Sequence, residues 1–184
     1  QYCEVTLAAP AQGELPAVDW QVVPITLGEQ AEILPLLEHA DVVITSAFAA
    51  ADYPFLSELD VPWVGDAYVP SSTECLPLNA HWALDDRLRG HRNDTTALNV
   101  FFRRGDFCLC ASERQRDLYL GLLAANGRLN PYNYDADHTL RSLVDVVPYG
   151  LSSQPPQATQ PIVRGVMHGV DENARFKSRW RSLA

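Results

Sequence analysis

Between Asp106 and Gly127 the sequence passes from a short apolar run bounded by charge to a helical pattern. Residues 107–111 are too few for a helix and predict a buried strand. Ser112 then offers a hydroxyl to the amide three positions on, where Gln115 stands ready to reach back, the arrangement of a capping box. Leu118, Leu122 and Ala125 are expected on one stripe of the helix, with Tyr119 and Leu123 beside it. Gly127 after Asn126 suits a left-handed C-terminal cap. The stretch therefore predicts strand, tight turn and helix, with Ser112, Glu113, Arg114 and Gln115 at the turn. In an open parallel sheet such a turn faces the crevice where ligands bind.

The rest of the chain repeats this alternation. Residues 3–9 predict a strand that stops at Pro10, and residues 11–19, with Gly13 and Pro16, a loop. Residues 20–26 predict a short strand interrupted by Pro24. A helical pattern opens at Gly28 with Ile33, Leu34 and Leu37 on one side; Pro35 either starts that helix or kinks it. The β-branched run 41–46 predicts a strand, residues 49–59 a helix, and residues 61–68 a strand with its exit loop. Residues 70–104 are expected to be helical in at least two pieces, the second capped by Asp94, cored by Leu98, Phe101 and Phe102, and ended by Gly105. Residues 128–138 read as a polar, aromatic loop, 139–143 as a helical turn and 144–147 as a last strand closed by Pro148, Tyr149 and Gly150. Strands alternating with helices predict an α/β, three-layer Rossmann-like domain around a mostly parallel sheet over residues 1–150, with successive helices on its faces. Residues 151–184 read as a linker or crossover with a basic tail, in which Arg175, Lys177, Arg179 and Arg181 are crowded.

The net charge of −9 argues against a general nucleic-acid role, because a basic face is the usual footprint of phosphate binding. No apolar run reaches the length of a membrane span, and no secretory signal pattern opens the chain. Four cysteines in 184 residues suit a reducing cytosol, and a cytoplasmic location is expected. Cys108 and Cys110 are expected to face opposite ways along their strand, as small buried hydrophobes and not as a chelating pair. The five histidines lack the spacing of a zinc site, and no metal is expected. Phosphate-cradling glycine loops and the nucleophile elbow are absent from the sequence. Two constellations remain. Asp66, Tyr68, Pro70 and Glu74 follow a strand, where carboxylates can accept from sugar hydroxyls; Glu74 is equally explained by the dipole of a helix's first turn. Arg114 and Arg116, beside Glu113, could hold a phosphate or carboxylate near a helix's positive end, or form surface pairs with Glu113 and Asp117.

These residues resemble a family. The run from Ala111 through Ser112, Glu113, Arg114, Gln115, Arg116 and Asp117, followed by Gly121 and by Gly127, Arg128 and Leu129, is similar to the N-terminal half of group 1 (family 4-like) glycosyltransferases of bacterial cell-envelope polysaccharide synthesis. Val64, Gly65, Asp66, Ala67, Tyr68 and Pro70 with Glu74 resemble a segment after an earlier strand, and Val146, Val147, Pro148, Tyr149 and Gly150 a turn before a crossover. The resemblance spans about residues 3–170. It implies the GT-B architecture: two Rossmann-like domains, the first for the acceptor, the second for a nucleotide-sugar held partly by a Glu-x7-Glu motif, with retaining, metal-independent chemistry. In this sequence no glutamate is followed by another eight positions on. The expectation is thus an acceptor-side domain lacking its first strand–helix unit and the donor half, inactive alone, with no cofactor of its own. Asp66, Glu74, Glu113, Arg114 and Arg116 are the expected substrate-binding residues, and a sugar or lipid-linked acceptor the expected partner. Peripheral membrane association and self-association through the incomplete sheet are further expectations, the latter as a non-catalytic interaction module.

Overall fold

The structure, a computed structural model, describes residues 3–10, 18–150, 166 and 168–171. The chain divides into two compact units, Gln1–Tyr149 and Gly150–Ala184. In the second, the described residues form a turn at Gly169, whose φ of 80° favours glycine. The basic tail from Arg175, the proline-rich stretch 152–161 and most of the loop expected at 11–19 lie outside the described residues.

The first unit is α/β and its described strands pair in parallel. β1 (Thr6–Pro10) and β2 (Gln21–Ile25) form a two-stranded sheet, in which both strands are edges and Pro24 is tolerated. α1 (Gln30–Leu37) follows, with Pro35 inside it; Ile33 and Leu37 are half-buried, but Leu34 faces solvent. β3 (Val43–Ser46), β4 (Trp63–Asp66), β5 (Phe107–Cys110) and β6 (Val144–Val146) form a four-stranded sheet in sequence order. The helices between them are α2 (Ser71–Leu78), α3 (Leu84–Arg104), α4 (Glu113–Ala125) and α5 (Pro131–Ala136).

Several expectations need correction. The helix expected at 49–59 is two short 3-10 turns, Ala49–Ala51 and Pro54–Glu58, because Pro54 cannot continue a helix begun before it. Asp94 caps nothing: α3 starts ten residues earlier, after Ala83, and runs through Asp94. The polar loop at 128–138 contains α5, started by Pro131 and capped by the Asn130 side chain, which accepts from the Asn133 amide at 3.2 Å. Cys108 and Cys110 do not face opposite ways. Positions two apart in a strand share a face, and both thiols are buried, 1% and 0% exposed, on the packed side of the sheet.

That packed side holds the core. Trp63, Cys108, Cys110 and Val144 from the strands meet Ala97, Leu98, Phe101 and Phe102 of α3 and Tyr119 and Leu123 of α4. A row of rings crosses it: Trp63 meets Phe101 edge-on at 5.1 Å, Phe101 meets Phe102 at 5.2 Å, and Phe102 stacks on Tyr119 at 5.4 Å. The polar ends of the row are bonded, Trp63 Nε1 to Thr45 Oγ1 at 2.8 Å and the Tyr119 hydroxyl to the Ala67 carbonyl. Residues on the other face pair across β3, β4 and β5 as Ile44, Val64 and Phe107, with Leu109 nearby. They stand outside this core; Ile44 is 62% exposed and the others are half-buried. The strand order explains this. It never reverses, so right-handed crossovers all return over the same face, and these four strands contain no topological switch point. The helices that pack this core are α3 and α4, against one face of the sheet.

The turn before β6 is held by one carboxylate. Asp137 accepts from the Thr139 amide at 2.9 Å, the Thr139 hydroxyl at 2.6 Å and the Ser142 amide at 2.9 Å. These bonds, led by the Thr139 hydroxyl, hold its carboxyl well below the usual range. The Val146 amide, and then Arg141, lower Asp145 as well. Both groups bind a proton more weakly in the folded chain than in the unfolded one. Their contribution is therefore complete above an unfolded carboxyl pKa of about 4 and is lost as pH falls through that value toward the folded one. Urea unfolding midpoints should fall between pH 5 and pH 3, and Asp137→Asn should show a smaller fall. Equal acid sensitivity in both proteins would remove Asp137 as a source.

Candidate functional site

The carboxyl ends of β4, β5 and β6 carry the candidate site. Asp66, the last residue of β4, is exposed, and its Oδ1 accepts from the Tyr68 amide at 2.9 Å, which turns the chain sharply away from the strand. The Ala67 amide donates to the Leu109 carbonyl at 2.9 Å, so the turn begins one residue beyond the sheet. The Tyr68 ring, thus placed, meets the ring of Tyr149, which follows β6, at 4.4 Å and a tilt of 52°.

Gln115 ties two of these strand ends together. Its amide donates to Ser112 Oγ at 3.3 Å, as expected of the cap. The return bond departs from the capping box, because Gln115 Oε1 accepts from the Ala111 amide at 2.7 Å and not from Ser112. The other end of the same side chain, Nε2, donates to the Tyr68 carbonyl at 2.8 Å. One glutamine thus fixes the start of α4 against the turn after β4.

Both signs of charge stand near these ends, Asp66, Glu113 and Asp145 with Arg114, Arg116 and Arg141. Burial, then the Asp66 carboxylate, pushes the Tyr68 phenol up. Burial dominates an upward shift of Tyr119, to which the Cys108 and Cys110 thiols, Asp66 and Glu74 add. Burial also raises Cys110, while the Ser112 backbone and the Arg116 guanidinium lower it. Buried thiols held in their neutral form are poor nucleophiles, so neither strand cysteine is a reactive group here.

The expected site residues fall into two sets. Asp66 and Glu74 are exposed and act on the same phenol, Glu74 from the first turn of α2. Arg114 is exposed on the first turn of α4 and has no hydrogen bond or ion pair among the described residues. Glu113 does not pair with a neighbouring arginine of α4; it accepts from Arg141 Nη2 at 2.8 Å, and Arg141 also pairs with Asp145. Arg116 lies elsewhere. It is 8% exposed, with Nε donating to the Val144 carbonyl at 3.0 Å and Nη2 to the Thr139 carbonyl. The expectation that it holds an anion is corrected, since its guanidinium points inward to the backbone. The hydrophobic stripe of α4 is corrected with it: Arg116, Tyr119 and Leu123 face the core, while Leu118 is 45% exposed and Ala125 faces solvent.

Tyr149 was not among the expected site residues, and Gln115 was expected only as a cap. The signal for Tyr149 was the aromatic residue inside the turn after the last strand. At the opposite end of β4 and β5, a cavity is lined by Ser57, Asp60, Trp63, Arg103, Arg104 and Asp106. Its polar groups hold the fold: Arg104 Nε donates to the Ser57 carbonyl at 3.0 Å, and Asp106 accepts from the Trp63 amide at 2.8 Å. Among the described residues, no group of three or more His, Cys, Asp or Glu side chains is placed to hold a metal. No described helix is long and apolar enough to cross a membrane.

Comparison with models of protein families, with curated proteins and with solved structures gives no match.

Proposed function

We propose that residues 3–149 form the acceptor side of a GT-B glycosyltransferase, which binds the glycan or lipid-linked glycan that receives a sugar. The observation carrying this reading is that Asp66 and Tyr68 stand at the end of β4 and Glu74 in the first turn of the helix that follows, while Arg114, exposed in the first turn of α4 after β5, has no partner among the described residues. Carboxylates accept from sugar hydroxyls, and an exposed arginine at the first turn of a helix suits a phosphate or carboxylate on the same acceptor. In this reading the nucleotide-sugar belongs to the second domain of the architecture. The three-layer arrangement is completed by a helical layer on the face of Ile44, Val64 and Phe107. Glu113 takes part through Arg141, and the work is cytoplasmic, at the inner membrane surface when the acceptor is lipid-linked.

Binding to an array of bacterial cell-envelope oligosaccharides tests this. Arg114→Ala should weaken binding of anionic glycans about tenfold, equivalent to about 1.4 kcal/mol, with the urea midpoint unchanged. Unchanged binding would remove Arg114 from the site, and no binding to any glycan would remove the reading. A second reading, a non-catalytic module that self-associates, is favoured by the apolar row Ile44, Val64 and Phe107 on the sheet face away from the core. A monomer by light scattering would set it aside.

A further inference from the structure

We infer that Tyr68 and Tyr149 form a stacking platform for one pyranose ring of a neutral glycan, with Asp66 accepting from its hydroxyls. The inference rests on the acceptor reading above and adds the residues that would recognise the sugar itself. Tyr149 is 72% exposed, although it is an aromatic residue in contact with another ring. It comes from the turn after β6, and Tyr68 from the turn after β4, so two separate strand ends set the pair.

Tyr68 is fixed twice through its backbone: its amide donates to Asp66 Oδ1 at 2.9 Å, and its carbonyl accepts from Gln115 Nε2 at 2.8 Å. The platform is therefore anchored on one ring and open on the other. One face of a pyranose presents C–H bonds made slightly positive by the neighbouring oxygens, and the face of an aromatic ring is negative. Sugar hydroxyls at the ring's rim need acceptors. Asp66, exposed and close enough to raise the Tyr68 phenol, supplies a carboxylate there. The charge that acts on the Tyr68 phenol is the Asp66 carboxylate, which disfavours a phosphate or another acid on the platform itself, so a neutral sugar is the occupant that fits.

The test uses the chain labelled with 13C in its tyrosine rings and 15N in its amides, titrated with methyl glucoside, methyl mannoside and methyl N-acetylglucosaminide. Millimolar binding that moves the Tyr68 and Tyr149 ring signals together is expected for at least one of the three. Tyr149→Phe, which keeps the ring, should bind as the unaltered chain does, and Tyr149→Ala should bind at least fivefold more weakly. Because Tyr149 is exposed, its amide spectrum should otherwise be unchanged. If a sugar moves the amides of Asp66, Glu74 or Arg114 but leaves both rings still, the platform is wrong and the acceptor reading stands. If none of the sugars moves any signal, the platform falls and the acceptor reading loses its neutral-sugar component.

Discussion

Gly65→Ala is expected to lower the free energy of unfolding by about 3 kcal/mol, the upper part of the range for overpacking a core. A Cβ on Gly65 would lie 2.2 Å from Phe101 Cζ and 2.4 Å from its Cε2. The ring has little room to give, because Trp63 and Phe102 pack on it at 5.1 and 5.2 Å and it also lies against Gly105, where an added Cβ would be 2.2 Å from Cε2. Gly65 is also paired on both sides in the sheet, with Thr45 and Cys108, so backbone movement would strain two ladders. The urea midpoint should drop with an unchanged slope. Combining the change with Phe101→Leu should cost less than the sum of the two single changes, because the smaller side chain removes the clash. A Gly65→Ala protein within 0.5 kcal/mol of the original would mean that the ring moves aside freely.

Arg116→Met is the second large effect, a loss of about 3 kcal/mol from two hydrogen bonds donated by a charged group inside the protein. Methionine keeps much of the apolar stem and removes the donors to the Val144 and Thr139 carbonyls, so the loss isolates the guanidinium. Arg116→Lys should not restore stability, because a single ammonium cannot serve both carbonyls from one position as the planar fork does. Thermal or urea unfolding measures both variants. If Arg116→Met left stability unchanged and instead weakened glycan binding, the inward placement of this arginine would not describe its role.

Much of this arrangement was legible in the chain. The strand at 107–110 and the helix after Ser112 follow from an apolar run too short for a helix and a hydroxyl cap, and both are present. The buried face of α4 departs from its leucine period for a physical reason. Periodicity assigns leucines to the core, but a buried arginine with two carbonyl partners satisfies the same geometry and leaves Leu118 outside. Strand alternation itself puts Cys108 and Cys110 on one face. α5 carried a start signal in Asn130 and Pro131, hidden by the polar and aromatic residues around it. The turns at 49–58 were less accessible, because short 3-10 segments have no hydrophobic period of their own. Of the candidate site, Asp66, Tyr68, Glu74 and Arg114 could be named from their places after predicted strands. The meeting of Tyr68 with Tyr149 could not, because it joins residues 81 positions apart and depends on the strand order.

That strand order has a consequence for synthesis. Each strand of the larger sheet lies beside the one made just before it. An emerging chain can add β4 to β3 and β5 to β4 without opening a pair already formed, so the order of translation can also be the order of assembly. Of the described strands β6 comes last, after the helix that carries Arg116. Until it docks, the guanidinium lacks its Val144 acceptor, and the addition of β6 gives a buried charge the partner it needs.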